Sequence, residues 1–198
     1  YILYAKDHNL YVKGNKALGV DTTEVQLTTD GVPDFSYARE EDAGENGEVP
    51  SNARWCPDSR HAYIVLDDNR KLRDFWVINS ISDKPELKKY KYEFPGDKYV
   101  TQTELVTARK AKIQKWNDQY VMPFSVTSDS KYVFFERTKR TWDEVDVCSV
   151  NTSTLEVKEL IHEVDKPYRD PHARSVEALN DGKDILFRSE RTGWGHYY

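Results

Sequence analysis

Motifs that would arrange nucleophiles or metal ligands for chemistry are sparse in this sequence. It contains no Gly-x-Ser-x-Gly, the motif that places a catalytic serine on a strand-to-helix turn. Its histidines show no metal-ligand spacing, and two cysteines alone cannot form a zinc site. Cys56 and Cys148 lie in apolar settings and are predicted to be buried free thiols, with a disulfide as the alternative. We therefore expect no metal, no cofactor and no catalytic triad in these residues.

Charged residues are concentrated in two places. The stretch DFSYAREEDAGENGE at 34–48 holds six acids, among them Glu40 and Glu41, and from its residues alone it is a solvated acidic loop. The basic run RTKR at 137–140 is followed by DEVD at 143–146, and the balance of charge predicts a solvated hairpin tip. The formal net charge of −5 argues against a nucleic-acid partner, which would need a basic face.

The composition is that of an ordered globular chain, with 38% hydrophobic residues, 32% charged residues and 13 tyrosines. Apolar runs are all shorter than the ~18 residues that a membrane helix needs, so no membrane span is predicted. The first residues, YILYAKD, already have a strand pattern and no initiator methionine. We therefore expect a piece of a larger protein, whose compartment the residues leave open.

A short pattern that occurs three times indicates the architecture. Aspartate, a small residue and a basic residue precede an apolar run in PDSRHAYIVL, SDSKYVFF and NDGKDILF. The aspartate can accept a hydrogen bond from the backbone N–H two residues on, which favours a turn. The apolar run has no polar alternation, which predicts a strand buried on both faces. Each copy is interpreted as the first turn of a four-stranded antiparallel blade, with a β-sandwich as the alternative to a propeller.

The predicted fold class is all-β, a partial β-propeller of about three to four blades. Predicted blade ranges are 1–30, 50–95, 102–162 and 174–198, with 31–49 as an inserted acidic loop or short helix. An open arc of blades has unpaired strand edges, which could pair two copies into a homodimer. Four aromatic residues in strand-like patterns are predicted to lie in blade cores: Phe75, Trp76, Trp142 and Trp194.

Four segments resemble, in the same order, the propeller of the dipeptidyl peptidase IV family within the prolyl oligopeptidase group. RWCPDSRHAYIVLDD is similar to the family's W-S-P-D-x-x-x-hydrophobic-R-x-D-E, and KYKYEFPGDKYVTQTELV to its Y-x-Y-P-x-A-G-x-x-N-P-x-V. FFERTKRTWDEVDVCSVNTSTLEV resembles its R-x-x-R-x-Q-N-x-x-D-hydrophobic hairpin. DKPYRDPHARSVEALNDGKDILFRSERTGWGHYY resembles its S-E-R-D-G-W-x-H-hydrophobic-Y strand pair. Together these segments span nearly the whole chain.

The resemblance implies a function that the residues alone do not. The family joins this propeller to a C-terminal α/β-hydrolase domain, which supplies the serine, aspartate and histidine of a serine dipeptidyl peptidase. The propeller gates access, and glutamates on a short helical insertion hold the α-ammonium of a peptide substrate with X-Pro or X-Ala at its N-terminus. Family habit also implies a periplasmic or secreted protein. The alternative is a non-enzymatic, TolB-like propeller that acts as a protein-binding scaffold.

The resemblance also nominates site residues. After the lead-in DFSY, which is similar to the family's D-W-x-Y, Glu40 and Glu41 are the candidate clamp if the alignment slips by one residue. Without the slip, Arg39 occupies a clamp position, where it would repel an ammonium group or neutralise a glutamate. His172 and Arg174 lie where the family lines its substrate chamber, and a polar loop between blades is the alternative for each.

Overall fold

The structure, a computed structural model, describes residues 1–39, 47–81, 83–94, 97, 102–106 and 109–198. Among these residues it has strands and short 3₁₀ turns, but no α-helix. None of its described helical segments is long and apolar enough to cross a membrane. The strands are β1 (Ile2–Lys6), β2 (Asn9–Lys13), β3 (Val25–Gln26), β4 (Val49–Pro50), β5 (Arg54–Trp55), β6 (Ala62–Asp68), β7 (Arg73–Asn79), β8 (Glu86–Tyr92), β9 (Gln102–Val106), β10 (Lys110–Ala111), β11 (Gln119–Val126), β12 (Tyr132–Lys139), β13 (Glu144–Asn151), β14 (Val157–Val164), β15 (Val176–Leu179), β16 (Asp184–Ser189) and β17 (His196–Tyr197).

The strands form three four-stranded sheets, in the orders β3-β2-β1-β4, β10-β9-β6-β5 and β11-β12-β13-β14. There is also a three-stranded sheet, β15-β16-β17, and β7 pairs with β8 in a two-stranded ribbon. The prediction of an all-β chain built from four-stranded antiparallel sheets, the architecture of a partial propeller, is confirmed. The predicted division into blade ranges stays a prediction.

The chain divides into two compact units. The first unit comprises Tyr1–Ser51 and Asp67–Gln102, and the second comprises Asn52–Leu66 and Thr103–Tyr198. In the first unit β1 is a central strand of its sheet, and Tyr4 and Ala5 on it are buried. In the second unit the central strands of the third sheet, β12 and β13, are buried on both faces, which confirms for β12 the prediction made from its apolar run YVFF.

Each face of the third sheet has its own apolar cluster. Because side chains alternate across a strand, Val133 and Phe135 pack on one face, while Val145 and Val147 pack on the other. The first cluster also contains both cysteines, each buried, which confirms the prediction of two buried free thiols. Besides the cysteines, Val133 and Phe135, the first cluster contains Tyr63, Ala111, Ile113, Val121 and Val150.

The repeated aspartates stand at turns, although only two of them bond as predicted. Asp58 and Asp129 each accept a hydrogen bond from the backbone N–H two residues on, at 2.9 and 3.0 Å. Asp181 accepts instead from the backbone N–H and the hydroxyl of Ser128, at 2.6 and 2.8 Å, and so joins two of the turns directly. The residue after each aspartate has a positive φ: Ser59 (54°), Ser130 (59°) and Gly182 (80°).

The prediction that four aromatic residues lie in blade cores is wrong. Phe75 and Trp76 are 41% and 54% exposed on β7, because in the described part of the chain β7 pairs only with β8, and a two-stranded ribbon offers little surface to cover them. Trp194 is 78% exposed in the turn before β17. Trp142 is half-buried in the β12–β13 turn with a φ of 60°. A strand-like sequence pattern therefore did not distinguish a ribbon or a turn from a blade core.

Candidate functional site

The predicted clamp, Glu40 and Glu41, lies outside the described residues. Its neighbour Arg39 is described and is exposed, and its backbone N–H donates to the carbonyl of Pro50 at 2.7 Å. An antiparallel bridge between Ala38 and Ser51 adjoins this bond. The two ends of the acidic stretch are thus held together by main-chain pairing.

The lead-in to the acidic stretch is fixed by buried aromatic residues. Phe35 and Tyr37 are 1% and 2% exposed, and their rings meet edge to face with centroids 6.3 Å apart. The Tyr37 hydroxyl donates to Asp30 at 2.9 Å, and the Tyr37 N–H donates to the carbonyl of His8 at 3.0 Å. Ser51 donates its hydroxyl to the Tyr37 carbonyl at 2.7 Å. Residues 35–38 therefore give the acidic stretch a well-anchored base.

Two of the six acids in this stretch are already paired with lysines. Glu48, which immediately precedes β4, meets Lys13 Nζ at 2.6 Å, and Asp34 lies 4.0 Å from Lys91 Nζ. The other four acids all lie within 40–46, outside the described residues. Lys13 therefore neutralises Glu48, whereas Asp34 shares Lys91 with Asp74, which lies closer to the lysine at 3.2 Å. The four acids at 40–46 are the candidates for binding a cationic ligand.

His172 and Arg174 lie together in a separate segment, in the second unit, whereas Arg39 belongs to the first. Asp170 opens the 3₁₀ turn Pro171–Ala173, where its carboxylate accepts from the His172 N–H at 2.9 Å. The His172 residue is exposed. Arg188 on β16 holds the same turn by donating from Nη1 to the Ala173 carbonyl at 2.8 Å.

Arg174 is bound to a buried carboxylate. Its Nε lies 2.8 Å from Glu136 Oε1 on β12, and the Glu136 side chain is only 2% exposed. The Thr138 hydroxyl donates to the same oxygen at 3.1 Å. Among the described residues, the second oxygen, Oε2, is buried and accepts no hydrogen bond. Arg174 therefore has a structural task, the neutralisation of Glu136, in addition to any contact with a substrate.

Sequence reasoning missed a cluster of charges on the opposite face of the third sheet. The prediction that Arg137 lies at a solvated hairpin tip is wrong, because Arg137 lies within β12 and is only 8% exposed. Its Nε and Nη2 both lie 2.8 Å from Oδ2 of Asp146, which is fully buried. Lys115 and His162 also contact Asp146, at 2.8 and 2.7 Å. The available signal was an aspartate inside the apolar run VDVCSV, which a strand would bury only with a partner.

Hydrogen bonds decide the direction of the pKa shifts of Asp146 and Lys115 in this cluster. Burial alone would raise the pKa of Asp146, but hydrogen bonds from Lys115, His162 and Arg137 outweigh it, so the pKa is lowered. Burial would likewise lower the pKa of Lys115, and its bonds to Asp146 and Glu159 reverse the shift. Asp146, Glu159 and His162 are also the described residues whose ligand atoms could together surround a metal ion.

The comparison that decides the family covers the whole chain. A model of the dipeptidyl peptidase IV N-terminal region matches residues 1–198. The chain belongs to that family. The resemblance found in the motifs is therefore confirmed, and the described sheets are those of a dipeptidyl peptidase IV N-terminal region.

Two solved structures share this fold. Dipeptidyl peptidase 4 of Porphyromonas gingivalis matches 99% of the chain with a TM-score of 0.74 at 21% identity. A protein of Bacteroides ovatus ATCC 8483, described as a candidate dipeptidyl aminopeptidase IV, matches 98% with a TM-score of 0.69 at 17% identity. The chain spans only 29% and 27% of the length of these two proteins. No curated protein matches the chain significantly.

Proposed function

We propose that this chain is the substrate-gating and N-terminus-anchoring propeller region of a dipeptidyl peptidase IV-like serine exopeptidase. A C-terminal α/β-hydrolase domain of the same protein would supply the catalytic serine, aspartate and histidine. The proposal is carried by the family match over all 198 residues. The substrate would be a peptide with X-Pro or X-Ala at its N-terminus, handled in a periplasmic or secreted setting.

In this proposal Glu40 and Glu41 hold the substrate's α-ammonium group. A protonated amine between two carboxylates forms charge-assisted hydrogen bonds, which are shorter and stronger than neutral ones. Such a clamp measures a fixed distance from the N-terminus to the scissile bond, so that two residues are released at a time. The pairing of Arg39 with Pro50 and of Glu48 with Lys13 supports the proposal, because it gives the acidic stretch fixed ends.

His172 and Arg174 have separate proposed roles. His172 would line the chamber through its exposed side chain. Arg174 would face the substrate's carbonyl groups while its Nε stays on Glu136. A guanidinium has five N–H donors, so a substrate carbonyl would be met by those that are not used by Glu136 or by Met122 Sδ, which Nη1 contacts at 3.3 Å.

The test is the kinetics of Glu40→Gln and Glu41→Gln in the full-length protein, with a free-amine Gly-Pro substrate and its N-acetylated form. Loss of one charged hydrogen bond costs roughly 1.5–3 kcal/mol, so KM for the free amine should rise roughly 10- to 100-fold. Asp42→Asn and Glu45→Gln, in the same acidic stretch, are the matched controls and should change KM little. Equal effects of all four substitutions, or none, would refute the clamp and favour a binding scaffold.

A further inference from the structure

A lysine lies at the centre of the charge cluster on the third sheet. Lys115 Nζ is 2.9 and 2.8 Å from the two oxygens of Asp146, 3.0 Å from Glu159 Oε2 and 3.4 Å from His162 Nδ1. The candidate ligand atoms of these three residues all lie within 4.8 Å of one another. The lysine ammonium thus occupies the place from which a single cation would contact all three.

The ligand set resembles that of a transition-metal site. Carboxylate oxygens and one imidazole are ligands that zinc and related divalent ions accept, at about 2.0–2.2 Å. Lys115, by contrast, lies at hydrogen-bond distances of 2.8–3.0 Å from the carboxylates. His162 Nδ1 lies 2.7 Å from Asp146 Oδ1, so it carries a proton there and has no lone pair for a metal.

Charge also decides against a metal beside the lysine. Asp146 and Glu159 bring two negative charges, and Lys115 and Arg137 bring two positive charges. These four charges balance one another. A divalent ion added to this arrangement would meet two cations at close range and lacks compensating anions. Binding a metal therefore requires that Lys115 leave, after which Arg137, held on Asp146 Oδ2, is the one of these two cations that still opposes the ion.

Lys115 also links a connecting segment to the third sheet. It lies in the connector between β10 and β11, whose Ile113 carbonyl accepts from Arg137 Nη1 at 2.9 Å. Its own backbone N–H donates to Gln119 Oε1 at 3.0 Å. The contacts of Lys115 with Asp146 and Glu159 tie this connector to β13 and β14.

We propose that Lys115 is the resident cation of a metal-type site, doing the work of a structural metal by tying the connector to the third sheet. Asp146, Glu159 and His162 accordingly bind a divalent transition metal once Lys115 is replaced by a small neutral residue. His162 then adopts its other neutral tautomer, with the proton on Nε2, so that the Nδ1 lone pair is free for the metal.

The experiment is a Co²⁺ titration of the full-length protein, monitored by the ligand-field absorption of the bound ion. Lys115→Ala should bind one more equivalent of Co²⁺ per chain than the wild type, and Lys115→Ala/His162→Ala should lose that equivalent. Lys112→Ala, an exposed lysine in the same connector, should behave like the wild type. Bound Co²⁺ should also raise the melting temperature of Lys115→Ala, because a ligand that binds only the folded state stabilises it.

Each result supports or overturns the proposal. A wild-type protein that already binds Co²⁺ through His162 would overturn it, since a metal would then be the resident cation. A folded Lys115→Ala that gains no equivalent would overturn it as well. If Lys115→Ala does not fold alone, the proposal requires that Co²⁺ restore folding to it but not to Lys115→Ala/His162→Ala. Lys115→Met, which removes the charge but fills the space, should gain no metal.

Discussion

Replacement of Arg174 by methionine should destabilise the protein by leaving a buried carboxylate without its cation. Glu136 is 2% exposed, its Oε1 would keep only the Thr138 hydroxyl, and its Oε2 accepts no hydrogen bond among the described residues. Removal of one partner from a buried ion pair costs about 3–5 kcal/mol. Because Arg174 is 18% exposed, water can enter the vacated space, so we expect the lower end, about 3 kcal/mol.

The assay is thermal unfolding of the full-length protein, measured by calorimetry. At about 2–4 °C per kcal/mol for a cooperative unit of 150–250 residues, Arg174→Met should lower the transition by about 6–12 °C. Glu136→Leu/Arg174→Met, which removes both charges, should restore most of the loss. A single variant that melts within about 2 °C of the wild type would refute the reasoning. A double variant that is stable but has a raised KM would separate a substrate contact of Arg174 from its structural task.

Three further predictions concern other parts of the chain. Burial raises the pKa of Cys56 to about 11 and of Cys148 to about 12, so peptide mapping should find both thiols unalkylated at pH 8 until the protein is denatured. Gly182→Ala should lower the free energy of unfolding by about 1–3 kcal/mol more than Gly193→Ala does, as measured by melting experiments. Both glycines have a positive φ, but only a Cβ at 182 would lie 2.4 Å from a phenylalanine ring. Hydrogen bonds from Lys131 and from a threonine lower the pKa of Asp129 to about 2, so its contribution to stability is present above its ordinary pKa of 3.8 and is lost as the pH falls towards 2. Asp129→Asn should reduce the fall in melting temperature between pH 3.8 and pH 2. An unchanged dependence of melting temperature on pH would contradict the role given to Asp129.

The sequence predicts the features that depend on neighbours along the chain. The repeated turn around Asp58 and Asp129 is visible because its hydrogen bonds span two residues. The apolar run of β12 is visible because a strand buried on both faces loses its polar alternation. Asp181 departs from the pattern because its partner, Ser128, lies 53 residues away.

Features that depend on strand register and on partners far apart along the chain could not be predicted from the sequence. Arg137 looks like part of a charged hairpin, but the strand register places it directly opposite Asp146, and its Nη1 donates to the Ile113 carbonyl in a separate connector. Trp76 is exposed because, among the residues that the structure describes, β7 pairs with β8 in a two-stranded ribbon, and a local sequence pattern cannot distinguish this from pairing within a blade. Arg174 was chosen by resemblance, and its ion pair with Glu136 could not be inferred from residues 38 positions apart.

The most direct test of the proposed function is the activity of the full-length protein on peptides that begin with Ala-Pro or Gly-Pro. We predict release of the N-terminal dipeptide from the free peptides, and loss of release when the α-amino group is acetylated, because the clamp needs an ammonium group. A full-length protein with an intact serine, aspartate and histidine that releases no dipeptide would contradict the proposal. Equal cleavage of free and acetylated peptides would contradict the anchoring role of the acidic stretch.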